Sequence, residues 1–275
     1  MPSSHRTPFP QSQHRRGRTR VIGLFCIGHR VVMESSPFRL ARFISAPQNP
    51  DLQASIDRCP PFHASLKGCL VVGPQQSGRT SILFHYAVAI AGTGRKVLFI
   101  CMKDAMESAP PTMPSGITTE SPQLANIMMR YMKTSKDIRK YASCFHLLDD
   151  KPSVIIIDNL SAFVEATLSP SGYILHDDKI KDIAKTLAWL WEAVESSGNS
   201  IQLVVSDFYS GDQILERYVY FRWLPLVFTL TGQQAGGPSD FLFSVNHAPR
   251  SDVRMYTPIK YGFVNGTLVA ADLDW

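Results

Sequence analysis

Short runs of apolar residues alternate with polar, glycine-containing segments along most of this chain. Four of these runs have the length and composition of buried strands, at 66–72, 96–101, 154–157 and 201–205. Residues 82–91 have apolar side chains on most sides, which predicts a well-buried helix, and 177–197 carry one apolar stripe at three- and four-residue spacing. Strands that alternate with helices in this way predict an α/β fold on a mostly parallel sheet.

The pattern also makes predictions for the middle and the end of the chain. A connection containing Pro110, Pro111 and Pro114 follows the second strand, and a helix is predicted over 124–142. After the strand at 201–205 we predict a helix near 213–220, strands at 226–230, 241–245 and 254–259, and a hairpin over 261–269 on an Asn-Gly turn. Antiparallel strands are therefore expected to complete the sheet.

The first 60 residues differ from the remainder in composition and charge. They are rich in Pro, Ser, Gln and Arg, and residues 1–42 hold eight basic residues and one acidic residue. The basic run at 15–20 suits nucleic-acid contact, a nuclear address or a transit peptide. A solvated tail, or an extension upstream of a start at Met33, remains the alternative. We predict a tail over 1–60 and one domain over 61–275.

Composition narrows the class of protein. The 275 residues contain no run that approaches the ~20 apolar residues of a membrane-spanning helix. Five cysteines occur without a C-x-x-C pair, which favours reduced thiols in a cytosolic or nuclear protein with no zinc site of its own. Residues 43–275 carry twenty basic and twenty-two acidic residues, so the net charge of +5 comes from the tail.

Residues 73–81 match the phosphate-binding pattern G-x-x-x-x-G-K-[ST], with arginine in place of lysine, between a predicted strand and a predicted helix. Thr80 is expected to bind Mg²⁺ and Arg79 to reach the terminal phosphates of ATP. Guanidinium is larger and more rigid than ammonium, which favours nucleotide binding over turnover. A glycine turn without a ligand is the alternative. The predicted phosphate-binding residues are Gly73, Pro74, Gln75, Gln76, Ser77, Gly78, Arg79, Thr80 and Ser81.

Asp158 follows four aliphatic residues at the end of a predicted strand, which is the Walker B form. Its carboxylate is expected to orient the same Mg²⁺ as Thr80, and Arg79 and Asp158 are the candidate catalytic residues. The alternative is a buried strand that happens to end in aspartate. A phosphate-binding pattern some seventy residues upstream argues against that coincidence.

Two surface features are candidate contact sites. Lys133, Lys136 and Lys140 fall within a narrow arc of the predicted helix at 124–142, where they form either a DNA-binding stripe or a solvated face. Trp189 falls opposite the apolar stripe of 177–197. An outward tryptophan suits a protein interface, although the segment 169–176 offers an alternative cover for it.

The order of these motifs resembles the RecA-type recombinase core, with a P-loop, a Walker B strand in the middle of the sheet and antiparallel C-terminal strands. Residues 73–86, 96–100, 108–110 and 215–218 are similar to a recombinase-paralogue branch whose members associate with a SWIM-type zinc-finger protein. The resemblance implies a Shu-type complex in the nucleus that acts in homologous recombination. It also implies single-stranded DNA binding and DNA-stimulated ATPase activity. The F-x-x-A form at Phe38, by which recombinases dock on each other, is a further candidate contact.

The chain departs from the recombinase pattern at three places. Lys103 or Asp104 stands where recombinases place a glutamate, Phe208 stands near their glutamine, and Arg79 replaces the lysine. We therefore expect an ATP- and Mg²⁺-binding adaptor with weak ATPase activity, which supports recombinase on single-stranded DNA. The alternatives are a P-loop small-molecule kinase and a pseudo-ATPase scaffold that binds no nucleotide.

Overall fold

A computed structural model describes residues 67–164, 176–197, 201–208, 217–232, 241–247, 259–264 and 267–270. The strands are β1 (Gly68–Gly73), β2 (Val97–Cys101), β3 (Ile127–Tyr131), β4 (Val154–Ile157), β5 (Gln202–Phe208), β6 (Leu226–Gly232), β7 (Phe241–His247), β8 (Ile259–Val264) and β9 (Thr267–Ala270). The α-helices are α1 (Arg79–Ala91), α2 (Lys103–Ser108), α3 (Ser135–Ser143), α4 (His176–Ser196) and α5 (Arg217–Phe221). Three 3₁₀ turns cover Pro122–Asn126, Phe145–Leu147 and Leu160–Phe163.

The nine strands form one sheet in the order β3-β2-β4-β5-β1-β6-β7-β8-β9. The pairs from β3 to β6 are parallel, and the last three pairs are antiparallel. The protein is thus an α/β protein with a mostly parallel sheet and antiparallel C-terminal strands, as predicted. Because β1, β4 and β5 are parallel neighbours in the interior, their carboxyl ends meet at one edge.

Two apolar cores lie on opposite faces of the sheet. Successive strand residues alternate between them, so that Val71 and Ile156 pack with α1, whereas Leu70 and Ile157 pack with α3 and α4. Strands that are covered on both faces are fully apolar, which explains the continuous runs in the sequence. The helix α1 is buried on most sides, in agreement with the prediction for 82–91.

The prediction of one helix over 124–142 was wrong for the first half of that range. A 3₁₀ turn and β3 occupy its beginning, and β3 pairs with β2 in the register Val97↔Ile127. The apolar residues of 124–131 fit both the 3.6-residue period of a helix and the two-residue period of a strand. The open edge of β2, which is available for pairing, selects the strand. The overlooked signal is Thr134, whose side chain forms a capping box with Asp137 at the start of α3. As a consequence Lys133 precedes the helix, and Tyr131 is 52% exposed.

The other predicted elements within the described ranges are present. The strand at 201–205 extends to Phe208, α5 covers the end of the helix predicted near 213–220, and β6 and β7 contain their predicted strands. β8 and β9 pair around the predicted Asn-Gly turn, with Val264 opposite Thr267. Several predictions fall outside the described residues. They concern the tail over 1–60 with Phe38, the segment at 169–175 that could cover Trp189, most of the strand at 254–259, and the Asn-Gly turn itself.

No helix in the described part of the chain is long and apolar enough to cross a membrane.

Candidate functional site

The loop between β1 and α1 has a backbone that only certain residues can adopt. Gly78 has φ 77°, in the left-handed region, and Gln76 has φ 60°. A Cβ at Gly73 would lie 2.7 Å from the Cβ of Leu230, so this position requires glycine as well. The buried Ser77 hydroxyl donates to the Pro74 carbonyl at 2.8 Å and holds the loop in this shape.

Strand β8 braces this loop from the C-terminal part of the sheet. The Tyr261 hydroxyl donates to the Ser77 carbonyl at 2.7 Å, and burial raises the pKa of Tyr261. Phe263 packs so closely on Gly78 that an added Cβ would lie 2.3 Å from its Cζ. The sequence contains no signal for this contact, because residues 78 and 263 meet only through the sheet order.

Thr80, Asp158 and Ser206 form a hydrogen-bonded group at the carboxyl edge of the sheet. The Thr80 hydroxyl donates to Oδ2 of Asp158 at 2.8 Å, and the Ser206 hydroxyl donates to Oδ1 at 2.8 Å. Desolvation raises the pKa of Asp158, opposed by these two hydrogen bonds and by the charge of Arg79. The structure therefore brings together the two residues that the sequence predicts to share Mg²⁺.

The Arg79 side chain lies against the ends of β1 and β5. Its guanidinium donates to the Gly73 carbonyl and, at 2.9 Å, to the Asp207 carbonyl. Its Cζ lies 5.7 Å from the centre of the Phe208 ring, within range of a cation–π contact. Desolvation lowers the pKa of Arg79, opposed by the charges of Asp158 and Asp207. Two of the departures from the recombinase pattern, Arg79 and Phe208, thus contact each other.

Asp207 is a buried residue of the site that sequence reasoning missed. Its carboxylate accepts hydrogen bonds from the Ser161 hydroxyl at 2.5 Å, from the backbone N–H of the adjacent Phe208 at 2.7 Å, and from the Tyr220 hydroxyl. The available signal was an acid that ends an apolar run, as Asp158 does, two residues beyond the predicted strand. Asp207 connects β5 to α5 and to the turn after β4.

A cleft of about 310 Å³ opens beside the loop. Loop residues line one side of it, and Ala109, Pro110, Thr112 and Phe263 line the other. The connection after α2 is held here because the Thr112 N–H donates to the Ser81 hydroxyl at 3.0 Å. All predicted phosphate-binding residues from 76 to 81, and Pro74, line the cleft. Gly73, which is buried at the end of β1, and Gln75, which is exposed, do not line it.

The chemistry of the cleft suits an anion beside a divalent cation. The N-terminal turn of α1, a helix of 13 residues, presents backbone N–H groups and the positive end of its dipole. Among the described residues, no three His, Cys, Asp or Glu side chains lie close enough to hold a metal ion. Mg²⁺ takes one or two carboxylates, phosphate oxygens and water, so Thr80 and Asp158 fit a nucleotide-bound Mg²⁺.

The remaining predicted contact residues lie away from this cleft. Lys133, Lys136 and Lys140 are exposed beside α3, although only the last two are helical. Trp189 is 47% exposed on α4, while the apolar stripe residues Leu187 and Leu190 are buried as predicted.

No protein-family model matches this chain, and no curated protein matches its sequence.

Proposed function

We propose that this chain is a RecA-like P-loop protein that binds ATP with Mg²⁺. The observation that carries the proposal is the 2.8 Å hydrogen bond between Thr80 and Asp158, which are 78 positions apart in the sequence. A hydroxyl in the first turn after a glycine loop and a carboxylate at a strand end are the two protein groups that hold nucleotide-bound Mg²⁺. Here both stand at the same edge of the sheet, next to the cleft.

The sheet order supports the RecA-like assignment. Asp158 follows β4, which lies in the interior between β2 and β5, and the antiparallel strands are gathered at the other end of the sheet. This is the arrangement that the resemblance to the recombinase core implies. Tyr261 and Phe263 hold the loop in one shape, as a preformed anion-binding loop needs.

In cellular terms, we propose a nuclear adaptor in homologous recombination. It pairs with a SWIM-type zinc-finger protein, binds single-stranded DNA and supports assembly of the recombinase. Weak ATP turnover is expected because Arg79 is engaged by two backbone carbonyls. Lys103 and Asp104, one of which stands in place of the recombinase glutamate, are both exposed on α2.

The first test measures ATP binding to the wild type and to Thr80→Ala, with and without Mg²⁺. We expect the substitution to weaken Mg-ATP binding by about tenfold, because the bound Mg²⁺ loses one of its few protein ligands. Binding of metal-free ATP should change much less, because Thr80 acts through the metal. Filter binding with labelled ATP gives both constants.

Thr93→Ala is the matched control, because Thr93 lies just beyond the other end of α1 and donates to the Ile90 carbonyl at 2.7 Å. This variant should bind Mg-ATP as the wild type does. An equal loss with and without Mg²⁺ in Thr80→Ala, or no ATP binding by the wild type, would remove the P-loop assignment.

The DNA-binding part of the proposal predicts a change in salt dependence. Replacing Lys133, Lys136 and Lys140 by glutamine should weaken single-strand binding. The slope of the logarithm of the binding constant against the logarithm of salt concentration should become shallower by about two, at ~0.7 per phosphate contact. The basic run at 15–20 is present in every variant, so the difference between variants reports the lysines. Glutamine at Lys179, Lys181 and Lys185 of α4 removes equal charge elsewhere and should leave the slope unchanged.

The partner part of the proposal concerns Trp189. We expect Trp189→Ala to weaken binding of the SWIM-type protein by roughly thirtyfold or more, the loss of about 2 kcal/mol typical of an aromatic anchor. The melting temperature should be nearly unchanged, since the ring is 47% exposed. Tyr218→Ala removes another exposed aromatic and should leave partner binding intact. A folded Trp189→Ala protein that still co-purifies with its partner would place the contact elsewhere.

A further inference from the structure

A second cleft, of about 310 Å³, lies beside the predicted DNA-binding lysines. Asp137, Lys140, Tyr141 and Cys144 line it, and Met132 lines it from the segment after β3. The first four are spaced three, four and seven positions apart, so they share one face of α3 and its last turn. A thioether, a phenol ring and a thiol make the inside of this cleft largely apolar.

The cleft is built on a fixed platform. The Tyr141 ring meets the buried Phe145 ring edge-on, at 6.3 Å between centroids and 68° between planes. On the opposite side of α3, Arg139 donates to Asp182 and to Thr186 of α4, each at 2.8 Å. The Phe145 ring therefore supports the Tyr141 ring, and α4 holds α3 in place beneath the cleft.

The rim of the cleft suits a polyanion. Residues 130–144 contain five basic residues and one acidic residue, Asp137, although one of the five, Arg139, is paired with Asp182 on the opposite side of α3. The Asp137 carboxylate accepts hydrogen bonds from the backbone N–H groups of Lys133 and Thr134 and from the Thr134 hydroxyl, so one of its oxygens is engaged in the cap of α3. Lys140 lines the cleft, and Lys136 is exposed one turn earlier on α3.

We propose that this cleft seats one unstacked base of a single-stranded nucleic acid, with the flanking phosphates along Lys136 and Lys140. The inference rests on the DNA binding proposed above and deepens it, because it locates a base-binding position next to the lysines. Phosphates alone need no apolar cleft, and bases in a duplex are stacked and unavailable. An aromatic ring next to a basic rim is the combination that holds single strands without reading their sequence.

Abasic oligonucleotides distinguish base binding in the cleft from phosphate binding by the lysines. We compare a 20-residue oligothymidylate with a 20-residue abasic deoxyribose-phosphate chain, using the full-length protein. Wild type and Tyr141→Phe should prefer the thymidine oligomer by about tenfold, the scale of one base–aromatic stack. Tyr141→Leu keeps apolar volume but loses the ring, so it should bind both oligomers as weakly as the wild type binds the abasic chain.

Equal affinity of the wild type for both oligomers, or a preference kept by a folded Tyr141→Leu protein, would overturn the base site while leaving phosphate binding by the lysines intact. Failure of the wild type to bind either oligomer would instead overturn the proposed DNA binding itself. If Tyr141→Leu does not fold, Cys144→Leu fills the cleft from an exposed position and should abolish the preference in the same way.

Photocrosslinking with 5-iodouracil in the oligomer locates the bound base on the protein by an independent method. Crosslinks to Tyr141 or Met132, identified by mass spectrometry of the peptides, are expected. Crosslinks confined to other parts of the chain would overturn the site.

Discussion

Gly78→Ala should lower the free energy of unfolding by about 3 kcal/mol and the melting temperature by roughly 6–12 °C. Two costs add at this position. The backbone has φ 77°, where a Cβ is strained, and the new Cβ would lie 2.3 Å from Cζ of Phe263. Since Phe263 also lines the cleft, its displacement should weaken Mg-ATP binding at least tenfold. Thermal unfolding and ATP filter binding measure the two effects.

The chain contains matched controls for the strain alone. Gly94 and Gly116 have φ 78° and 79°, and a Cβ at either would meet nothing within 4 Å. Gly94→Ala and Gly116→Ala should therefore cost only ~1 kcal/mol and leave ATP binding unchanged. Combining Gly78→Ala with Phe263→Ala should cost less than the sum of the single changes. Equal stability of the Gly78 and Gly94 variants would contradict the proposed contact with β8.

Asp207→Ala should destabilise the protein by about 3 kcal/mol or more, because three donors lose their acceptor at once. The hydroxyls of Ser161 and Tyr220 and the Phe208 N–H all donate to this carboxylate. The carboxylate is also one of the charges that stabilise the Arg79 guanidinium. We therefore expect weaker Mg-ATP binding in addition to a lower midpoint of chemical denaturation.

A double-mutant cycle with Tyr220 tests this account. Tyr220→Phe removes one donor and should cost about 1 kcal/mol, and the double variant should be more stable than additivity predicts. Asp104→Ala, at an exposed carboxylate of α2, should change stability by less than ~0.5 kcal/mol. Strict additivity between positions 207 and 220 would mean that their hydrogen bond contributes nothing to folding.

Gly78 and Asp207 both join the candidate site to distant parts of the chain. Gly78 depends on β8, more than 180 positions later, and Asp207 connects β5 to α5 and to the turn after β4. The site is consequently sensitive to changes far from the glycine loop. Strand β8, which braces the loop through Tyr261 and Phe263, therefore belongs to the candidate site.

The sequence alone determined the features that depend on local pattern. Strands buried on both faces must be continuously apolar, so 66–72, 96–101, 154–157 and 201–205 indicated their strands directly. The glycine spacing at 73–78 and the acid after 154–157 identified Thr80 and Asp158, which the structure places 2.8 Å apart. The three- and four-residue spacing over 177–197 correctly separated the buried stripe of α4 from the exposed Trp189.

Tertiary structure alone decided three other features. β3 replaced a predicted helix because the apolar residues of 124–131 fit both periods, and only pairing with β2 selects the strand. Arg79 turned toward the Gly73 and Asp207 carbonyls because the ends of β1 and β5 are neighbours, which depends on the strand order. Phe263 reached Gly78 for the same reason. Local spacing determines which residues face the core, but contacts between distant segments depend on how the strands are ordered in the sheet.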